Sequence, residues 1–246
     1  IIYVYDKNEG GKNMFNNKYS KTLTVILIIV IIAIIGLLIY FGIDVYRKHY
    51  IEEAAGNVVE EFQQNRINTI VQDDQTNTLL NSVTPNIDLN TLYGNTNTES
   101  NGTGGSGVTY MGYDVIGTIE IPATDIEYPI ISDEQASINS LSVAIVKLYP
   151  STNELNEVGN AVLAGHNYRN GTFFSNNKRL ENGDLIYITD LSGERVAYEI
   201  YRKYETSTSD SEYMNRDTEG RREISLTTCT DDSSRRLIIW AREVEN

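Results

Sequence analysis

Residues 22–43 carry no charged side chain, and over 25–41 they are almost wholly Ile, Leu, Val, Ala and Gly. About 20 apolar residues at about 1.5 Å each span a bilayer core, so this run commits the chain to one transmembrane helix in contact with membrane lipid. A cleaved signal peptide has a shorter apolar region ending at a small-residue cleavage site. Here the run leads into Tyr40-Phe41 and then Tyr46-Arg47-Lys48, so an uncleaved anchor is expected. Lys18 and Lys21 precede the helix and Arg47 and Lys48 follow it. The positive-inside rule therefore leans only slightly, towards a cytoplasmic N-terminal segment (residues 1–21) and an extracellular remainder. Within that segment Met14 is expected to be the native start, with 1–13 outside the natural protein.

After the anchor, residues 44–71 place Ile51, Ala55, Val58, Val59, Phe62 and Ile70 on one helical stripe. They are read as a juxtamembrane helix, a solvated stalk. From residue 72 to 107 the composition collapses to Asn, Thr, Ser, Gly and Asp, ending T-E-S-N-G-T-G-G-S-G. Such a stretch cannot bury enough surface to offset its ordering entropy. Residues 72–109 are therefore expected to be a flexible linker, reaching on the order of 120 Å when extended and about 30–36 Å as a coil. It would hold a folded unit away from the membrane.

That unit is residues 110–246. Short strand patterns recur near 115–121, 128–131, 142–148, 161–164, 185–189, 195–207, 223–228 and 237–242, divided by turns such as Asn182-Gly183-Asp184. Segments 133–140 and 172–180 read as short helices or turns. The fold class is mainly β, a closed or nearly closed barrel with short helices. A formal net charge of −14 argues against nucleic acid as a partner, because phosphate binding needs Lys and Arg. A single cysteine excludes an intramolecular disulfide. No phosphate loop and no metal-ligand cluster is visible, so no cofactor is expected. The carboxylates of Glu154, Glu157, Asp231 and Asp232 are read as solvated surface in preference to a calcium site.

Chemistry concentrates near the C-terminus. In E-I-S-L-T-T-C, residues 223–229, Ile224, Leu226 and Thr228 share one face, while Glu223, Ser225, Thr227 and Cys229 share the other. The only cysteine thus lies on the polar face. His166, one of two histidines, follows the strand Ala161-Val162-Leu163-Ala164 after a single glycine. Arg236 opens the apolar run R-L-I-I-W-A. A thiolate nucleophile, an imidazolium proton donor and a guanidinium for the oxyanion make an acyl-transfer set.

These residues resemble a known family. A-G-H-N at 164–167, L-T-T-C at 226–229 and Arg236 before its apolar run are similar to the sortases, membrane-anchored cysteine transpeptidases. I-G-T-I-E-I-P-A at 116–123 and Y-P-I at 128–130 resemble the first strands of that family's eight-stranded barrel. The resemblance implies Cys229 as nucleophile, His166 as general acid and Arg236, rather than the adjacent Arg235, as the oxyanion or substrate-positioning arginine. Thr228 would contact or support substrate. It further implies thiol-protease-like cleavage of a Leu-Pro-x-Thr-Gly-like signal on surface proteins, after Thr. An amine acceptor such as a peptidoglycan precursor would take up the product. The short turn T-D-D-S-S-R, the linker without an Asp-Pro-aromatic lid and the lack of a second apolar tail point away from a pilin-polymerising type. A papain-like protease fits poorly, because there the cysteine precedes the histidine. The alternatives of another class are a membrane-tethered barrel that only binds and an inactive homologue, each with an inert cysteine.

Overall fold

The computed structural model describes residues 18–79, 106–149 and 154–245. The expected start at Met14 and positions 80–105 of the expected linker lie outside them. Helix α1 (Lys18–Leu79) crosses the boundary between two compact units, which falls between Arg47 and Lys48. In the first unit its large apolar side chains from Leu23 to Tyr46 are exposed. Among the described residues this is one helix long and apolar enough to cross a membrane.

The second unit corrects the stalk expectation. Ile51, Ala55, Val59 and Phe62 are 5%, 0%, 2% and 0% exposed. Ile51, Ala55 and Phe62 belong to one core cluster with Val108, Tyr110 and Tyr128. The Tyr110 hydroxyl donates to the Ile51 carbonyl at 3.4 Å. The stripe is therefore the helix's packing face, as a stripe at this spacing ought to be. α1 also extends to Leu79, beyond the expected boundary at residue 71. Phe62, before the expected linker, and Val108, near its end, belong to the same core cluster.

Eight of the strands form the barrel: β2 (Tyr113–Ile121), β3 (Ile126–Ile131), β4 (Ile145–Tyr149), β5 (Gly159–Ala164), β6 (Leu185–Asp190), β7 (Arg195–Ser207), β8 (Arg222–Cys229) and β9 (Arg235–Glu243). A ninth, β1 (Thr109–Tyr110), pairs with β2. The order is β1-β2-β3-β4-β5-β8-β9-β7-β6, and pairing of β2 with β6 closes the circle. The pairs β3–β4 and β5–β8 are parallel and the rest antiparallel. The strand expected from 142 begins only at Ile145. Before it, Ser137 and Ser140 cap α2 (Ile138–Leu141) reciprocally, and the Val143 and Ala144 amides donate to the Ser140 carbonyl. Gly117 is required where β2 meets β6, since a Cβ there would come within 2.6 Å of the Thr189 carbonyl oxygen.

Candidate active site

Strand β8 places its side chains on alternate faces. Ile224 and Leu226 join the main core, while Glu223, Ser225 and Thr227 turn to the other face. That polar face is not wet: Glu223, Ser225 and Thr227 are 7%, 0% and 5% exposed. The β7–β8 loop, residues 208–221, covers it. Arg216 from this loop pairs with Glu223, both side chains being nearly buried. Its other N–H groups reach Tyr201 (2.9 Å), Asn160 (3.0 Å) and Ser225 (3.3 Å). A buried cation with this many acceptors is a rivet between loop and barrel.

Cys229 ends β8 on the covered face, half-buried, and Arg236 of β9 is its direct cross-strand partner. A guanidinium has no acceptor, so its Nη1–H donates to the Cys229 Sγ, at 2.9 Å. Arg235 points elsewhere, pairing with Glu205 at 3.4 Å. His166 arrives by the parallel strand: β5 runs beside β8 up to Ala164 against Thr227, and the Gly165 amide continues to the Thr227 carbonyl at 3.3 Å. Gly165 has to be glycine here, because a Cβ would come within 2.9 Å of the Phe174 ring.

His166, Thr228, Cys229 and Arg236 all line one open cavity of about 350 Å³. Leu141 and Leu148 contribute apolar surface, and Thr208, Asp210 and Met214 belong to the wall made by the β7–β8 loop. Burial, and then the Arg236 cation, push the His166 imidazole below its ordinary pKa. The Thr228 hydroxyl is buried with no hydrogen-bond partner. Among the described residues no group of three or more His, Cys, Asp and Glu side chains is placed to hold a metal.

Two features escaped the sequence reading. One is the wall formed by residues 208–214, which lie remote in sequence from every residue of the acyl-transfer set. The other is Asp231, read as solvated surface. Its carboxylate accepts from Asn167 at 3.0 Å and Lys178 at 2.5 Å, and these bonds hold its pKa below the usual carboxylate range. The neighbouring Asp232 accepts from Thr230 and Ser234 inside its own turn and is pushed down to about 2. The A-G-H-N motif contained the only local sign of the first link, an amide next to the histidine.

Comparison with known proteins adds to this geometry. The model of the sortase domain matches residues 119–244, just over half of the chain. A lid mutant of sortase A from Corynebacterium diphtheriae is similar at 28% identity over 54% of this chain and 71% of that one, with a TM-score of 0.48. Sortase C-1 from Actinomyces oris shows 25% identity over 56% and 78%, TM-score 0.48. A sortase D5 transpeptidase from Clostridium perfringens shares the fold, with a TM-score of 0.53 and 22% identity over 78% of this chain and 99% of that one. No curated protein sequence matches.

Proposed function

This chain belongs to the sortase family, and on that premise we propose that it cleaves a Leu-Pro-x-Thr-Gly-like signal after Thr and transfers the protein to an amine acceptor. The observation that carries this reading is the guanidinium of Arg236 bonded to the Cys229 sulfur at one edge of a cavity that His166 also lines. The Cys229 thiolate attacks the Thr carbonyl carbon. The carbon–nitrogen bond then breaks, and His166 as imidazolium gives its proton to the departing glycine amine. The acceptor amine attacks the resulting thioester, passes a proton to the now neutral His166, and the carbon–sulfur bond breaks to restore the thiolate. Arg236 stays cationic and donates to the oxygen that carries negative charge in both steps. Thr228, beside the nucleophile in the cavity lining, contacts or supports the bound signal.

An amine of a peptidoglycan precursor is the proposed acceptor. The apolar segment of α1 is proposed as a single-pass anchor, with the N-terminus cytoplasmic and the barrel outside the cell. A half-buried thiol facing a cavity and bonded to a cation favours catalysis over an inert core cysteine. Incubation with a sorting-signal peptide and an amine acceptor, followed by intact-mass measurement, tests the proposal. Cys229→Ala is expected to form no acyl-enzyme. Arg236→Lys is expected to lose roughly 10²-fold in kcat, because one-point donation replaces a planar fork. Full transpeptidation by Cys229→Ala would end this reading.

A further inference from the structure

His166 and Cys229 lie beyond the end of the parallel pairing that brings their strands together. The last paired residues are Ala164 and Thr227, followed only by the Gly165 bond to the Thr227 carbonyl. Past that point backbone pairing between the two strands stops, and side chains span the gap. Asn167 uses both amide hydrogens: Nδ2 donates to the Cys229 carbonyl at 3.0 Å and to Asp231 Oδ1 at 3.0 Å. Its Oδ1 accepts the Arg169 amide at 3.1 Å, so every partner agrees with one orientation of the side chain. The Asp231 backbone carbonyl accepts from Arg169 Nη1 at 2.9 Å, a second crossing between the same two segments. Asp232 folds the β8–β9 turn on itself, which leaves Asp231 pointing at the histidine segment.

We infer that Asn167 and Asp231 are positioning residues that fix the separation of His166 and Cys229. Asn167, adjacent to the histidine, is bonded to the carbonyl of the nucleophile's own residue, and Asp231 holds that amide in place. On the far side Tyr168 braces the imidazole: the two rings lie 4.9 Å apart, and the tyrosine hydroxyl donates to the Ser142 carbonyl at 3.3 Å. Asp231 and Lys178 are each about half exposed, so their ion pair adds little stability. Geometry is where the latch matters, because a displacement of about 1 Å can lower a rate roughly 10²-fold.

This inference rests on the acyl-transfer function proposed above, and the test separates the two. In the full chain, kcat and KM are measured for cleavage of a Leu-Pro-x-Thr-Gly peptide, together with thermal midpoint and the iodoacetamide alkylation rate of Cys229. Asn167→Ala is expected to lower kcat by about 10–100-fold, with KM within about threefold and the midpoint nearly unchanged. Asp231→Ala should lower kcat by roughly 10-fold, whereas Asp231→Asn, which keeps an acceptor oxygen for Asn167, should retain about a third or more. The double variant should be no worse than Asn167→Ala, since both act through one bond. Unchanged kcat in both alanine variants, a loss that follows the midpoint, or an Asp231→Asn as impaired as Asp231→Ala would overturn the inference. If the wild-type chain cleaves no peptide, the proposed function fails and the alkylation rate decides: a rate altered in Asn167→Ala supports the latch, and an unaltered one overturns it.

Discussion

The histidine segment, residues 165–175, and the β7–β8 loop, residues 208–221, line the same cavity but are anchored differently. Phe173 and Phe174 are completely buried and belong to the main core, and the Phe173 ring packs on Tyr128 at 4.8 Å. Phe173 holds this place at φ 47°, an unfavourable backbone angle for a bulky residue, which the surrounding burial must offset. The β7–β8 loop instead rests on a separate small cluster of Val162, Tyr213 and Ile238. Arg216 and Asn160 tie it down by polar bonds, Asn160 donating to the Tyr213 carbonyl at 3.0 Å. Its rim, Thr208, Ser209, Ser211 and Glu212, is exposed. The histidine segment is thus continuous with the barrel core, whereas the opposing wall rests on its own smaller cluster.

The largest expected effect tests the base of the histidine segment. α1 reaches that neighbourhood: a Cβ at Gly171 would lie 3.1 Å from Lys48 Nζ. A chain beginning at residue 106 loses the burial of Ile51, Val59 and Phe62, worth about 1.5–3 kcal/mol each, and uncovers the surface they pack against. Its denaturant midpoint should fall sharply relative to a chain beginning at residue 48. Hydrogen exchange should accelerate at 165–175 and stay unchanged at 208–221. Equal acceleration in both would mean that the two segments share one anchor after all.

The next effect breaks the other side. Arg216→Met removes a buried cation and leaves Glu223 uncompensated, at an expected cost of about 3–5 kcal/mol. Adding Glu223→Gln should recover part of that loss. Exchange should now rise at 208–221, and peptide KM should rise more than kcat falls, since the wall is disturbed and the histidine segment is not. A kcat loss without a KM change would contradict this separation.

How much of this was legible in the sequence depended on range. Alternation in residues 223–229 correctly divided Ile224 and Leu226 from Ser225 and Thr227, and strand patterns between turns were enough for an eight-stranded barrel. The cover over the polar face was not legible, because Arg216 reaches Asn160, 56 positions away, and no local pattern signals such a partner. Asp231 and Asn167 are 64 positions apart, so the carboxylate read as surface. The stripe at Ile51, Ala55 and Phe62 was visible, but its receiving surface at Tyr110 and Tyr128 exists only once the barrel has closed. Cys229, His166 and Arg236 stood out because each lies at the start, or just past the end, of a recognisable strand, where topology can gather distant residues.

The smallest expected effect concerns the titration of His166. Burial and the Arg236 cation lower the His166 pKa in the folded state, so the folded protein resists a proton that the unfolded chain accepts near pH 6.5. Stability associated with neutral His166 is therefore fully present above that ordinary value. It is lost as pH falls through it towards the lower, folded-state value. Between pH 7.5 and 5.5 the thermal midpoint of the wild-type chain should decline, and His166→Asn should flatten that decline. Arg236→Met, which removes the cation and leaves the burial, should flatten it only in part, because burial is the larger cause. Neither Arg216→Met nor any change confined to 208–212 should alter the slope. A slope that followed Arg216 would show that the two sides of the cavity are electrostatically coupled despite their separate anchors.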